Sequence, residues 1–209
     1  MSSVSRKLVL GVLALLPLVA ACDDSGTDAD GAIVAIQMTD ALADVVQSAD
    51  VWISKVYLQG GPGHAADPAD ASTGGRLYLF NDPAHAFHVD LLTLSNGVVA
   101  NLTDSVSVDP GSYKQLRIVV DSAKVTLKAP FKFEDGTTTK IVKIPSGSSS
   151  GVKVKLNSDL VAAEGDTTVV LADFDVEQSF KMLAGGAPNT FKTPSLDPVI
   201  KEKSRKGGS

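Results

Sequence analysis

Residues 152–157 read Val-Lys-Val-Lys-Leu-Asn. Apolar side chains at 152, 154 and 156 alternate with polar ones at 153, 155 and 157. That period of two suits a strand with one buried face. Working outward, residues 167–175 place Val170, Ala172 and Phe174 on one side. Residues 113–120 place Leu116, Ile118 and Val120 on one face, with Lys114, Gln115 and Arg117 interspersed. Residues 50–59 (DVWISKVYLQ) are rich in the Val, Ile, Trp and Tyr that strands favour, and residues 32–38 form a further short apolar run. Turn signals separate these runs: Ser95-Asn96-Gly97, Asp109-Pro110-Gly111, Asp135-Gly136 and Pro145-Ser146-Gly147. The one helical candidate is short, residues 41–48. Many short strands at this spacing predict an all-β domain, a sandwich or barrel, over residues 32–201. About 170 residues form one domain that buries roughly two thirds of its unfolded surface.

Residues 60–75 (GGPGHAADPADASTGG) hold no large apolar side chain and read as a long mobile surface loop. Residues 202–209 read as a solvated, disordered tail, since Lys203, Arg205 and Lys206 follow Lys201 with little apolar material. Trp52, Tyr57, Tyr78, Phe80 and Phe87 lie in strand-like runs and are taken mostly as core.

The N-terminus has a different character. Arg6 and Lys7 precede the apolar run at 8–18, and Val19-Ala20-Ala21 leads directly into Cys22, the single cysteine of the chain. A basic start, an apolar centre and small residues at the end are the layout of a secretory signal peptide. The run is shorter than the roughly 20 residues a spanning helix needs. A cysteine directly after the small residues resembles the lipobox of bacterial lipoproteins. The resemblance implies a signal peptide over residues 1–21, a diacylglyceryl group on the Cys22 thiol, palmitate-type acyl chains and cleavage before Cys22. Two or more chains give stable anchoring. Residues 22–31 (CDDSGTDADG) are acidic and small, so they predict a flexible, solvated tether. The expected location is the bacterial cell envelope, on the inner or the outer membrane.

The chain carries a formal net charge of −5. Loss of Arg6 and Lys7 with the leader takes this to about −7. An acidic chain without a basic stripe argues against nucleic acid as a partner. With Cys22 lipidated, no disulfide forms, and the fold rests on its apolar core.

Several residue sets invite a chemical reading. Residues 147–151 (GSSSG) match the letters of a nucleophile elbow. An elbow needs a strand before it and a helix after it, whereas here Pro145 precedes and the alternating 152–157 run follows. His85 and His88 are spaced so that a strand sends them to opposite faces, which disfavours a metal pair. Asp40, Asp90, Asp173 and Asp175 are carboxylates at strand ends. They are the candidate ligand-binding residues, able in principle to gather around a hard cation such as Ca²⁺. Asp173 and Asp175 share a strand face, where they either repel, hold a cation or pair with basic side chains opposite. No catalytic set, metal site or cofactor is assigned.

Four groups of segments together resemble a bacterial lipoprotein family known by a domain of unknown function, DUF4382. They are residues 34–44 (VAIQMTDALAD) with 51–58; Val89-Asp90-Leu91-Leu92 with the Asn96-Gly97 turn; Pro110-Gly111-Ser112-Tyr113 leading to Gln115-Leu116-Arg117; and residues 144–155 with 171–176 (LADFDV). Leu42 stands where the family pattern has a proline. The resemblance implies an immunoglobulin-like or prealbumin-like β-sandwich on a lipid anchor, and supplies no catalytic residues.

The functional expectation is a lipid-anchored, non-enzymatic envelope module of binding or structural type. Its partners are membrane lipid through acylated Cys22 and an envelope protein or glycan. A carbohydrate- or calcium-binding module is the alternative, and a hydrolase the second.

Overall fold

The computed structural model describes residues 31–40, 44–62, 75–142, 144 and 150–207. The leader, Cys22, the tether to residue 30, residues 63–74 of the long loop and residues 147–149 of the GSSSG match lie outside the described residues.

Two sheets carry a shared core. In the first, β1 (Ala32–Asp40) lies parallel to β13 (Thr167–Phe174), from Ile33 opposite Thr167 to Asp40 opposite Phe174. β17 (Ile200–Lys206) continues this sheet antiparallel to β13, while β5 (Ala100–Asn101) and β6 (Val106–Val108) flank β1. In the second sheet, β2 (Val46–Gln59) pairs with β8 (Gln115–Leu127) from Val46 opposite Leu127 to Gln59 opposite Gln115. β3 (Leu77–Asn81) and β4 (Phe87–Asp90) border β2, and β10 (Thr139–Val142) and β11 (Val152–Lys153) border β8. The architecture is an all-β sandwich.

Alternation explains which face is buried. Ala32, Val34, Ile36 and Met38 of β1 and Val170, Ala172 and Phe174 of β13 are fully buried. Leu116, Ile118, Val120, Ala123 and Val125 of β8 meet Val51, Ile53, Val56 and Leu58 of β2 in the same core. Each fully buried Val, Leu, Ile, Phe or Met contributes about 1.5–3 kcal/mol of apolar transfer free energy.

The 152–157 run closes one side. Val152 pairs with Ile118 and Lys153 with Arg117 in the second sheet. Lys155 then bridges Lys201 in the first sheet: its amide donates to Ile200 O, and its carbonyl accepts from the Glu202 amide, both at 2.9 Å. A single stretch of alternating residues therefore changes sheets and covers two edges, limiting the open backbone that invites aggregation.

Three sequence expectations are corrected. The tail is not disordered from residue 202: residues 202–206 belong to β17, because Ile200 and Glu202 bury against β13 and residues 155–157. The helix over 41–48 does not extend to its end, since residues 46–48 open β2 with Val46 in the core; residues 41–43 lie outside the described residues. Trp52 is not core: it is half-buried and outside the shared core cluster, whereas Tyr57 is fully buried although the register shift of β2 between Ile53 and Lys55 turns it away from that cluster.

Candidate cavity at one end of the sandwich

β1 and β13 are parallel, so their C-terminal ends coincide. At that end β13 runs into α1 (Val176–Ser179), followed by β14 (Phe180–Lys181), which pairs with β16 (Ser195–Leu196). Between this corner and the start of β2 lies a cavity of about 490 Å³. Val46, Val176 and Phe180 are buried in its wall, Val45 and Met182 are half-buried, and Asp44, Glu177 and Lys181 bring charge. That volume lies within the range of small-molecule sites.

The wall is held by local chemistry. Asp175 caps α1, accepting from the Gln178 amide at 3.0 Å and from the Gln178 side chain. Ser179 is buried: its carbonyl accepts from the Asp197 amide at 2.9 Å, and its hydroxyl accepts from the Val199 amide at 2.8 Å. Lys181 Nζ is 2.6 Å from Asp197 Oδ2.

The candidate carboxylates divide between the sheets. Asp90 caps the 3-10 helix Leu91–Leu94, accepting from the Leu92 amide at 3.2 Å, and ties β4 to β2 by accepting from the Ala49 amide at 2.9 Å. Asp173 and Asp175 face β17: Lys203 Nζ is 3.7 Å from Asp173 Oδ1, and Lys201 Nζ is 3.4 Å from Asp175 Oδ2. The pair is thus opposed by Lys201 and by Lys203, the latter in the segment expected to be a loose tail. Asp40 ends β1 opposite Phe174. Cys22 lies outside the described residues.

The histidines take separate carboxylates. Exposed Asp82 is held below the usual carboxylate range by the His85 amide and, more weakly, by its ring. His88 Nε2 is 2.8 Å from Asp50 Oδ1, and its ring stacks on Trp52 with centroids 4.5 Å apart. Lys124 Nζ reaches Asp50 Oδ2 at 3.4 Å and lies 5.7 Å from the Trp52 centroid. This cluster fastens β4, β2 and β8 together on the outer face of the second sheet. Nearby, burial lifts the Tyr57 phenol, while Arg76 and Arg117 pull it down; its hydroxyl donates to the Ser150 carbonyl. Among the described residues, no group of three or more His, Cys, Asp or Glu side chains could hold a metal ion.

A family model described as a domain of unknown function (DUF4382) matches residues 31–192, well over half of the chain. The chain belongs to this family. The DUF4382 match includes every lining residue of the cavity named above and stops before β16 and β17. No curated protein and no solved structure matches the chain.

Sequence reasoning missed Asp44, Glu177, Phe180 and Met182, because the cavity joins segments 130 or more residues apart. One local signal was present: Asp175 three positions before Gln178 is a helix-capping pattern, and it marks the corner that forms one wall.

Proposed function

We propose that this DUF4382 protein is a lipid-anchored envelope module that binds a partner and does not catalyse a reaction. The observation that carries this reading is Cys22, the chain's one cysteine, placed directly after Val19-Ala20-Ala21 and the apolar run. Acylation there fastens a strand-built domain to a bacterial membrane.

The fold gives this reading a direction. The tether leads into β1 at Ala32, and nine residues of β1 carry the chain about 30 Å, at roughly 3.3 Å per residue, to the opposite end. The cavity lies at that opposite end, remote from the point where the tether enters the domain. The use of Asp90 and Asp175 as caps, and of Asp173 and Asp175 as ion-pair partners, supports a module reading over an acid–base pair.

The test is fractionation. The wild-type chain is expected in the membrane fraction and Cys22→Ser in the soluble fraction or uncleaved. A Cys22→Ser product that is processed normally and stays with the membrane contradicts the reading.

A further inference from the structure

We propose that the cavity between the start of β2 and α1 binds a small organic cation: a compact apolar group bearing an ammonium. This rests on the reading of the chain as a binding module and names its ligand class. Two features of the lining select that chemistry.

The floor is apolar. Val46, Val176 and Phe180 are buried, and Met182, with its adaptable side chain, is half-buried beside them. The rim is acidic. Asp44 and Glu177 are both exposed lining residues. Among the described residues, Lys181 Nζ is paired with Asp197 at 2.6 Å, while Lys128 Nζ donates to the Asp44 backbone carbonyl at 3.2 Å and keeps its charge beside that residue. Glu177 above all, and Asp44 in part, therefore remain to meet a ligand's charge. The wall is preformed, because the Asp175 cap and the buried Ser179 fix α1 independently of any ligand.

These exposed carboxylates give a preference of up to about tenfold over a neutral analogue. Salt screens such a preference while leaving the apolar share intact.

The test uses the full chain in zwitterionic nanodiscs, with empty discs as control. Three probes share one ring: 4-fluorobenzylammonium, 4-fluorobenzyl alcohol and 4-fluorobenzoate, followed by fluorine NMR. The ammonium is expected to bind about tenfold tighter than the alcohol, and the carboxylate weakest. The Asp44→Asn/Glu177→Gln variant, changed only at exposed positions, is expected to bring ammonium and alcohol within about twofold. Met182→Trp is expected to occupy part of the cavity beside Phe180 and to weaken both. Equal affinity for all three probes, no binding at millimolar concentration, or ammonium binding untouched by Met182→Trp overturns the inference. Loss of probe binding with Cys22-dependent anchoring intact sinks the ligand class alone. Probe binding without that anchoring sinks the anchor and leaves the cavity assignment standing.

Discussion

Arg205 grips the carboxylate of Glu202 with two hydrogen bonds of 2.9 Å, from Nε to Oε1 and from Nη2 to Oε2. The Glu202 and Arg205 side chains are only 3% and 13% exposed. Glu202 also accepts from the Asn157 amide at 2.8 Å, and Arg205 Nη1 donates to the Asp159 carbonyl at 2.7 Å. The network ties the last strand to the segment that changes sheets. Removing one member leaves a buried charge without its counter-charge. Glu202→Ala and Arg205→Ala are each expected to lose about 3–5 kcal/mol in urea unfolding. The double variant is expected to lose less than their sum. Changes below 1 kcal/mol would show that the pair is idle.

The DUF4382 match ends at residue 192, but the fold does not. Leu196 and Ile200 are buried, and β17 covers the edge of β13. A chain cut after Lys192 loses these contacts together with the Glu202 network. It is expected to lose cooperative unfolding and to show fast hydrogen exchange along β13. A truncated chain that melts like the intact one contradicts the assignment of β17 to the sheet.

Gly61 faces Tyr113 so closely that an added Cβ would stand 2.1 Å from the ring. Tyr113 is fully buried, and its hydroxyl donates to the Asp109 carbonyl at 2.8 Å, so the ring has little room to yield. Gly61→Ala is expected to cost about 1–3 kcal/mol by overpacking. A melting temperature equal to wild type would show that the ring moves freely.

These networks mark the limit of what the sequence made legible. The strands with clean alternation were readable, because each buries one face: residues 116–120 and 170–174 bury the side chains that the pattern selects, and the apolar run at 32–38 proves to be a strand that buries Ala32, Val34, Ile36 and Met38. Residues 50–59 were readable as strand but not as faces. A register shift between Ile53 and Lys55 changes the parity, so Val51 and Ile53 on one side of it and Val56 and Leu58 on the other all enter the shared core, while Trp52 and Tyr57 stay outside that cluster and Tyr57 is buried against the opposite face. The sequence IKEKSRK at 200–206 looks like solvent-exposed tail because its inward glutamate is polar. Only the structure shows that Arg205 and the Asn157 amide satisfy it. The cavity was invisible because its two walls meet through the parallel pairing of β1 and β13, a long-range contact that no local pattern encodes.

Acid should loosen the turn around Gly136. The Asp135 carboxyl is lowered from 3.8 to about 2, chiefly by its hydrogen bond with Lys140 and then by the Thr137 hydroxyl and amide. A lowered folded-state value means that the stabilisation is complete above the ordinary value and disappears as pH falls through about 2. The turn is exposed, so the effect is modest and screened by salt. Wild type is expected to lose stability between pH 4 and 2 more steeply than Asp135→Asn, when midpoints are followed across that window. Parallel curves would remove Asp135 from the acid response.

The most direct test of the anchored-module account is the intact mass of the chain purified from bacterial membranes. The account predicts a polypeptide that begins at Cys22 and carries the added mass of a diacylglyceryl group, with or without a further N-acyl chain. A chain that still begins at Met1, or one cut elsewhere with an unmodified Cys22, would contradict it.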